Sequence, residues 1–200
     1  MKNAKPGRTA ALERKTAETE VRVSLSLDGS GRCEVGTGVG FLDHMLTHVA
    51  VHGLFDLSVA ARGDLDVDSH HTVEDVGIAL GQVLSTALGE RKGIARFGEA
   101  TAPMDEALAQ VVVDLSGRPH LTYDDGLSPG RLGTLDIELV REFFEALVRN
   151  AGLTLHVRVL AGRNAHHVIE AVFKAFGRSL AAATRLDPRR SGVPSTKGTL

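Results

Sequence analysis

The sequence predicts an α+β fold made by internal duplication of one unit. The first observation behind this prediction is a short motif, His-His-x-x-Glu, which occurs twice in the 200 residues, at 70–74 and 166–170. The second is that each motif begins the last element of the same predicted series of strand, strand, helix, strand and helix. Because amphipathic elements bury their apolar faces, two such units predict sheets packed on a layer of helices.

The first predicted unit opens with a strand over 21–27, where Val and Leu alternate with polar residues. The turn sequence Asp-Gly-Ser-Gly at 28–31 is followed by a short strand around 33–35, and these two strands are predicted to form a hairpin. A helix over about 41–52, ending at Gly53, and then a strand over 54–61 complete this part of the unit.

The helix that carries the first motif is predicted from residue 70 to about 88, after a loop or short strand over 64–68. Either Asp68 or Ser69 can accept hydrogen bonds from the free N–H groups of its first turn. Gly89 is expected to end the helix.

The second predicted unit repeats this order of elements. They are strands over 107–115 and 120–123, a helix over 136–151 ended by Gly152, a strand over 153–160, and a helix from the N-cap Asn164 to about 184. We therefore expect a single domain over 1–200, with repeats over about 14–92 and 93–187 and a C-terminal tail over 188–200.

Composition bounds the possible functions. The chain is 42% hydrophobic and 24% charged, as in ordinary globular proteins, and its formal net charge of -2 argues against nucleic acid as a partner. Cys33 has no second cysteine with which to form a disulfide in the chain. Residues 1–20 do not resemble a signal peptide and no stretch is apolar enough for a membrane, so we expect a cytoplasmic protein.

The duplicated motif predicts a metal site. On a helix, its first His and its Glu share a face, whereas the second His is rotated by about 100°. Each motif can therefore serve two ions. Each ion would receive one His–Glu pair and a second His from the other half: His70, Glu74 and His167 for one, His166, Glu170 and His71 for the other. These donors favour Mn²⁺, Fe²⁺ or Zn²⁺ over Ca²⁺ and Mg²⁺. The alternative that the His pairs only cap surface helices stays open.

The helix before each motif offers a fourth ligand. His44 precedes the first motif by 26 residues, and Glu142 precedes the second by 24. His48 and His52 continue a stripe from His44 at helical spacing. We expect only His44 of this stripe to bind metal, while His48 is either a solvated residue or a neighbour of the site.

Three basic segments near glycines, at 93–98, 116–119 and 194–198, predict a phosphate site. Arginine forks, a lysine, hydroxyls and free N–H groups in glycine-rich turns are the groups that bind a phosphate monoester. Each segment is weak alone. Together with a metal pair, they indicate a small phosphorylated substrate.

Several longer segments form a recognisable set. They are GFLDHML (40–46), HGLFD (52–56), HHTVED (70–75), PMDEA (103–107), DLSGRP (114–119), HH (166–167) with FKAF (173–176), and PSTKG (194–198). Through these segments the sequence closely resembles the imidazoleglycerol-phosphate dehydratase family, from about residue 14 to its end. The resemblance implies a fold similar to ribosomal-protein S5 domain 2, two Mn²⁺ ions per active site, and a 24-subunit homo-oligomer built from trimers, with active sites at subunit interfaces.

The resemblance also implies the ligands of each ion, position by position. They are His44, His71, His166 and Glu170 for one metal, and His70, Glu74 and His167 for the other. The family commonly has His where this chain has Glu142, so Glu142 either replaces it as a carboxylate ligand or leaves a weaker site. A smaller departure is Ser69, where the family usually has Asp.

The activity implied by the resemblance is dehydration of imidazoleglycerol phosphate to imidazole-acetol phosphate in histidine biosynthesis. A substrate imidazole coordinated by Mn²⁺ is expected to be stabilised as imidazolate, which can expel the neighbouring hydroxyl. Glu18 is the candidate for proton transfer, alongside catalytic roles for the ligands His44, His71, Glu74 and Glu170. The implied substrate contacts are Glu18, His52, Arg96, Arg118, Lys174, Ser195, Thr196 and Lys197.

Two other classes of protein stay open at this point. A dinuclear metallohydrolase acting on a small phosphate ester would use the same ligands to hold a bridging hydroxide. A metal-storage shell would bind Mn²⁺ without turnover.

Overall fold

Two halves of the chain share one topology. In the computed structural model, which describes residues 7–200, the first half comprises β1 (Thr9–Lys15), β2 (Thr19–Ser26), β3 (Cys33–Gly36), α1 (Gly40–Gly53), β4 (Asp56–Gly63) and α2 (His70–Leu88). The second comprises β5 (Phe97–Met104), β6 (Ala107–Asp114), β7 (His120–Asp124), α3 (Glu138–Ala151), β10 (Thr154–Ala161) and α4 (Ala165–Thr184). A small hairpin, β8 (Arg131–Leu132) and β9 (Leu135–Asp136), is inserted before α3.

The two sheets confirm the predicted duplication. Their strand orders are β1-β2-β4-β3 and β5-β6-β10-β7, and in each sheet the last strand runs parallel to its neighbour. Each of these two sheets has one strand more than the sequence predicts, namely β1 and β5. Charged residues interrupt the alternation in β1, and β5 contains several small residues and a proline, so neither gives a clear strand pattern.

The predicted hairpin between β2 and β3 is wrong. The strand β4 lies between them, pairing antiparallel with β2 and parallel with β3. The carboxylate of Asp56, at the start of β4, accepts hydrogen bonds from the backbone N–H groups of Ser30 (2.7 Å) and Arg32 (3.1 Å). These bonds hold the 28–31 segment as a crossover connection instead of a tight turn.

The N-termini of the two motif helices are capped by side chains, as predicted. For α2, the carboxylate of Asp68 accepts from the N–H of His70 at 2.7 Å, whereas the hydroxyl of Ser69 donates to the carbonyl oxygen of Thr134. For α4, Oδ1 of Asn164 accepts from the N–H of His166 at 2.9 Å and from that of the next residue. These caps fix where each His pair begins.

The core forms where helices of one half pack on helices of the other. Helix α1 packs on α4, and α2 packs on α3, while each sheet covers the helices of its own half. Four phenylalanines fill much of the centre, and all are at most 1% exposed: Phe143, Phe144, Phe173 and Phe176. The four helices therefore hold the two halves together and place both motifs.

Glycines set the close approach of both helix pairs. A methyl group on Gly177 of α4 would lie 2.8 Å from the carbonyl oxygen of Val49 on α1. A methyl group on Gly81 of α2 would lie 2.6 Å from the carbonyl oxygen of Leu147 on α3. Gly81 and Gly177 each follow the Glu of their motif by seven residues, so the duplicated helices cross at matching positions.

We predict that Gly177→Ala destabilises the protein by about 1–3 kcal/mol, because its methyl group meets backbone atoms that cannot move aside without separating α1 from α4. Thermal or chemical unfolding measures the loss. Gly40→Ala is the matched control, since nothing lies within 4 Å of the added methyl group. A Gly177→Ala protein as stable as the parent would show that the helices are not this closely packed.

Candidate metal and phosphate site

The α1–α4 contact brings two polar stripes face to face. His44, on α1, points toward Glu170, on α4, with 3.2 Å between Nε2 and Oε2. His166, one turn before Glu170, reaches the same Oε2 at 3.2 Å. The predicted pair of His166 and Glu170 is thus present. His44, which the sequence predicts as a ligand from the preceding helix of its own half, contacts the same carboxylate.

The second carboxylate oxygen of Glu170, Oε1, also has polar neighbours. Lys174 Nζ lies 2.5 Å from Oε1 and His48 Nε2 lies 3.5 Å from it, while Glu170 as a residue is only 5% exposed. Burial opposes ionisation of Glu170, but Lys174 and the neighbouring histidines outweigh it and hold its pKa at about 2. Glu170 is therefore a carboxylate at neutral pH.

His48 belongs to this cluster, although the sequence left its role open. Its Nε2 lies 3.3 Å from Nε2 of His44, and burial lowers its pKa to about 4 in spite of the nearby Glu170 carboxylate. A neutral imidazole keeps a lone pair for a metal. Within residues 7–200, one group of three or more His, Cys, Asp or Glu side chains places its ligand atoms within 4.8 Å of one another: His44, His48 and Glu170.

His52 continues the stripe away from the cluster. Its ring stacks on that of His48, with centroids 5.5 Å apart and an interplanar angle of 13°. Of the predicted substrate contacts, His52 and Lys174 thus lie beside the metal candidates, because both share a helix face with them.

The second His of each motif faces a different environment. His71 Nδ1 lies 3.0 Å from Oδ2 of Asp64, and its Nε2 lies 3.8 Å from Oε2 of Glu18, the predicted proton-transfer residue. Hydrogen bonding to Asp64 raises the pKa of His71. Asp64 stands in the loop before α2, and the sequence does not single it out, since it belongs to no spaced motif.

His167 repeats this arrangement in the second half. Its Nδ1 lies 2.7 Å from Oε2 of Glu106, and its Nε2 lies 3.8 Å from Oδ2 of Asp105. The hydrogen bond raises the pKa of His167 and lowers that of Glu106 to about 2. Both acidic residues occupy the turn between β5 and β6, and the sequence gives no metal signal for them.

The remaining metal candidates lie apart from the Glu170 cluster. His70 and Glu74 are half-buried on the first turns of α2, and Glu142 is exposed on α3 in a surface cleft beside Tyr123 and Arg141. Among the residues that the structure describes, neither predicted set of four ligands comes together within one chain.

The three basic segments, in contrast, lie close to one another. The N–H of Arg96 donates to the carbonyl oxygen of Ala183, and its guanidinium donates to Asp114 (2.7 and 3.1 Å) and to the carbonyl oxygen of Pro194 (2.8 Å). The tail then runs on to Leu200, which lies against Gly117. Arg96 thereby fixes the C-terminal tail beside the 116–119 turn.

The predicted phosphate contacts around this tail have different exposures. Arg118, Thr196 and Lys197 are exposed, and Ser195 is half-buried, with its Oγ accepting from the N–H of Lys197 at 3.2 Å. The Arg96 guanidinium, in contrast, donates three hydrogen bonds to Asp114 and Pro194 of the same chain. Exposed cations and hydroxyls on a fixed turn can hold an anion from solvent.

The tail site and the metal cluster lie at opposite ends of α4. Arg96 contacts Ala183, which follows Glu170 by 13 residues, and a helix rises about 1.5 Å per residue, which gives about 20 Å. A small substrate cannot span that distance. One chain alone therefore does not present the metal candidates and the phosphate contacts to one ligand.

Fold and site together define a class: a duplicated α+β protein with paired His and Glu metal candidates at the starts of its helices and a separate basic tail site. The chain belongs to the imidazoleglycerol-phosphate dehydratase family, whose model matches residues 37–180. Similar curated proteins named imidazoleglycerol-phosphate dehydratase come from Prochlorococcus marinus, 60% identical over 194 residues, and from a Synechococcus species, 59% identical over 194 residues. The alignments cover 96% of this chain and 92% and 96% of those proteins.

Two solved structures of proteins with the same name are also similar to this chain. The imidazoleglycerol-phosphate dehydratase of Staphylococcus aureus subsp. aureus N315 is 44% identical with a TM-score of 0.81, covering 90% of this chain and 99% of that one. The enzyme from Pyrococcus furiosus is 37% identical, also with a TM-score of 0.81, covering 94% and 100%. Over residues 7–200, none of the helices is long and apolar enough to cross a membrane.

We predict that Arg96→Lys releases the C-terminal tail, because lysine cannot donate in the planar fork that joins Asp114 to Pro194. Trypsin should cut after Arg189 or Arg190 about tenfold faster, as loss of a charged hydrogen bond implies. Mass spectrometry of the shortened chain measures the rate. Arg158→Lys, on the exposed face of β10, is the control, and equal rates in both variants would contradict the anchoring role.

Proposed function

We propose that this chain dehydrates imidazoleglycerol phosphate to imidazole-acetol phosphate in histidine biosynthesis, as a hydro-lyase. The observation that carries the proposal is the cluster of His44, His166 and Glu170 in a member of this family. The three side chains come from two helices, one in each half of the chain. The ring nitrogens of His44 and His166 both contact the buried carboxylate of Glu170.

The donor set fits a first-row divalent metal, and we propose two Mn²⁺ ions per active site. Imidazole and carboxylate ligands without thiolate suit Mn²⁺, Fe²⁺ and Zn²⁺, and Glu170 is already ionised. The proposed ligands are His44, His71, His166 and Glu170 for one ion, and His70, Glu74, Glu142 and His167 for the other. When bound, such an ion would draw electron density from the substrate's ring and make its N–H more acidic.

The protein's own groups then have separate tasks. The reaction removes a proton from one carbon and a hydroxyl, as water, from the next, and the resulting enol ketonises. We propose that the Glu18 carboxylate, with 55% of its side chain exposed and 3.8 Å from His71 Nε2, carries that proton. Lys174 offsets the charge of Glu170, and His52 and Lys174 line the approach to it.

The phosphate of the substrate is proposed to bind the exposed groups of the tail site: Arg118, Ser195, Thr196 and Lys197, with Arg96 as their anchor. Because this site lies about 20 Å along α4 from Glu170, we propose that the phosphate contacts come from a second copy of the chain. We therefore propose a homo-oligomer with shared active sites, consistent with a 24-subunit shell built from trimers.

A turnover assay on imidazoleglycerol phosphate, with metal-free protein and with added Mn²⁺, tests the proposed function. We expect imidazole-acetol phosphate only when Mn²⁺ is present. Release of inorganic phosphate would instead indicate a metallohydrolase. Bound Mn²⁺ without any product would indicate a storage protein.

We predict that His71→Ala and His167→Ala each abolish dehydration, because each variant removes a ligand from a different ion. The same assay measures the loss, with metal content determined in parallel. His156→Ala, on the exposed face of β10, serves as a control that removes a histidine outside the motifs. Near-normal activity in either motif variant would refute the assignment of two required metals.

We predict that Glu142→Ala empties one of two Mn²⁺ sites per chain, while Glu142→His keeps both sites and activity. Imidazole can replace the carboxylate as a donor, whereas a methyl group cannot. Metal analysis after dialysis gives the count. Glu138→Ala, one turn earlier in the same cleft, is the control. Two ions bound to Glu142→Ala with unchanged affinity would exclude it as a ligand.

A further inference from the structure

We propose that Asp64 and Glu106 are positioning residues that fix the rings of His71 and His167 so that each presents Nε2 to a metal ion. The inference deepens the proposed function and rests on its metal binding. Neither carboxylate is among the proposed ligands. Each acts through a histidine.

The hydrogen bonds determine which ring nitrogen is free. A carboxylate can only accept, so His71 must donate from Nδ1 to Asp64 across 3.0 Å, and His167 must donate from Nδ1 to Glu106 across 2.7 Å. In a neutral imidazole, the other nitrogen then carries the lone pair. Both histidines therefore offer Nε2, and the carboxylate behind each ring makes that nitrogen more basic.

Each carboxylate is itself held in place. Oε1 of Glu106 accepts from the backbone N–H groups of Arg163 (3.2 Å) and Asn164 (2.9 Å), immediately before α4 begins. Its other oxygen is thus aimed at the first turn of the helix that carries His167.

Asp64 has a different environment, in which His71 is the hydrogen-bond partner of its carboxylate. Oδ1 of Asp64 is buried and, within residues 7–200, makes no hydrogen bond, while Oδ2 bonds His71. A buried unpaired oxygen is costly, so an Asp that serves only solubility or folding would not be placed there. The contact that it does make is the one that orients the ring.

The two halves reach this arrangement from different elements. Asp64 comes from the loop between β4 and α2, whereas Glu106 comes from the turn between β5 and β6, which corresponds to the β1–β2 turn of the first half. Duplication alone therefore does not explain why both second histidines have a carboxylate on Nδ1. A requirement common to the two histidines, that Nδ1 be held by a carboxylate, does explain it.

The corresponding turns also supply the groups that face the free nitrogens. Glu18, between β1 and β2, lies 3.8 Å from Nε2 of His71, and Asp105, between β5 and β6, lies 3.8 Å from Nε2 of His167. Asp105 has φ of 47°, which is unfavourable for a residue other than glycine. In both halves, Nε2 thus faces an acidic and accessible space.

Mn²⁺ affinity, measured by equilibrium dialysis with metal analysis, tests the proposal without relying on turnover. Asp64→Ala and Glu106→Ala should each weaken one Mn²⁺ site about 10–100-fold, with little change in thermal unfolding. Asp64→Asn and Glu106→Gln keep an acceptor oxygen and should recover much of that affinity. Asp66→Ala and Glu99→Ala remove carboxylates that do not contact these rings and should leave binding unchanged.

The outcomes separate this inference from the proposed function. If the Ala variants bind Mn²⁺ like the parent protein, or if the Asn and Gln variants lose as much affinity as the Ala variants, positioning by these hydrogen bonds is refuted. Absence of Mn²⁺ binding in the parent protein would refute it as well. If the affinities follow the expected order but the parent does not dehydrate imidazoleglycerol phosphate, the positioning role stands and the proposed function fails.

Discussion

The close contact between α1 and α4 is the constraint on which the candidate site depends. Gly177 lets the backbones approach so closely that side chains on the facing turns must interleave. The same spacing brings His44 and His48 to Glu170, about two turns earlier on α4. Gly81 plays the matching part between α2 and α3, so the two motifs are placed by one repeated packing rule.

This packing also sets the charges of the site. Burial alone would raise the pKa of Glu170, but Lys174 and three histidines surround its carboxylate. The result is an ionised Glu170, which is the state that a divalent cation needs from a carboxylate ligand, beside a neutral His48. The elements that bury the cluster therefore also prepare its protonation.

The sequence was sufficient for features that depend on local spacing. The pairing of His44 with Glu170 was implied only by the resemblance to the family, whereas the motif pairs and the Asn164 cap follow from helical geometry and duplication. The place of β4 between β2 and β3 did not, because Asp56 makes that connection from 24–26 residues away. The roles of Asp64 and Glu106 cannot be predicted from the sequence for the same reason: each contacts its histidine through tertiary structure, and neither belongs to a spaced motif.

The separation of the metal cluster from the tail site by most of α4 is the basis of our proposal that each active site takes residues from more than one copy of the chain. The most direct test refolds together two inactive variants, one lacking His44 and one lacking both Arg118 and Lys197. If one copy supplies His44 and another supplies Arg118 and Lys197, mixed assemblies regain about a quarter of the parent's active sites. Mixed assemblies that form normally but remain inactive would contradict a site shared between copies.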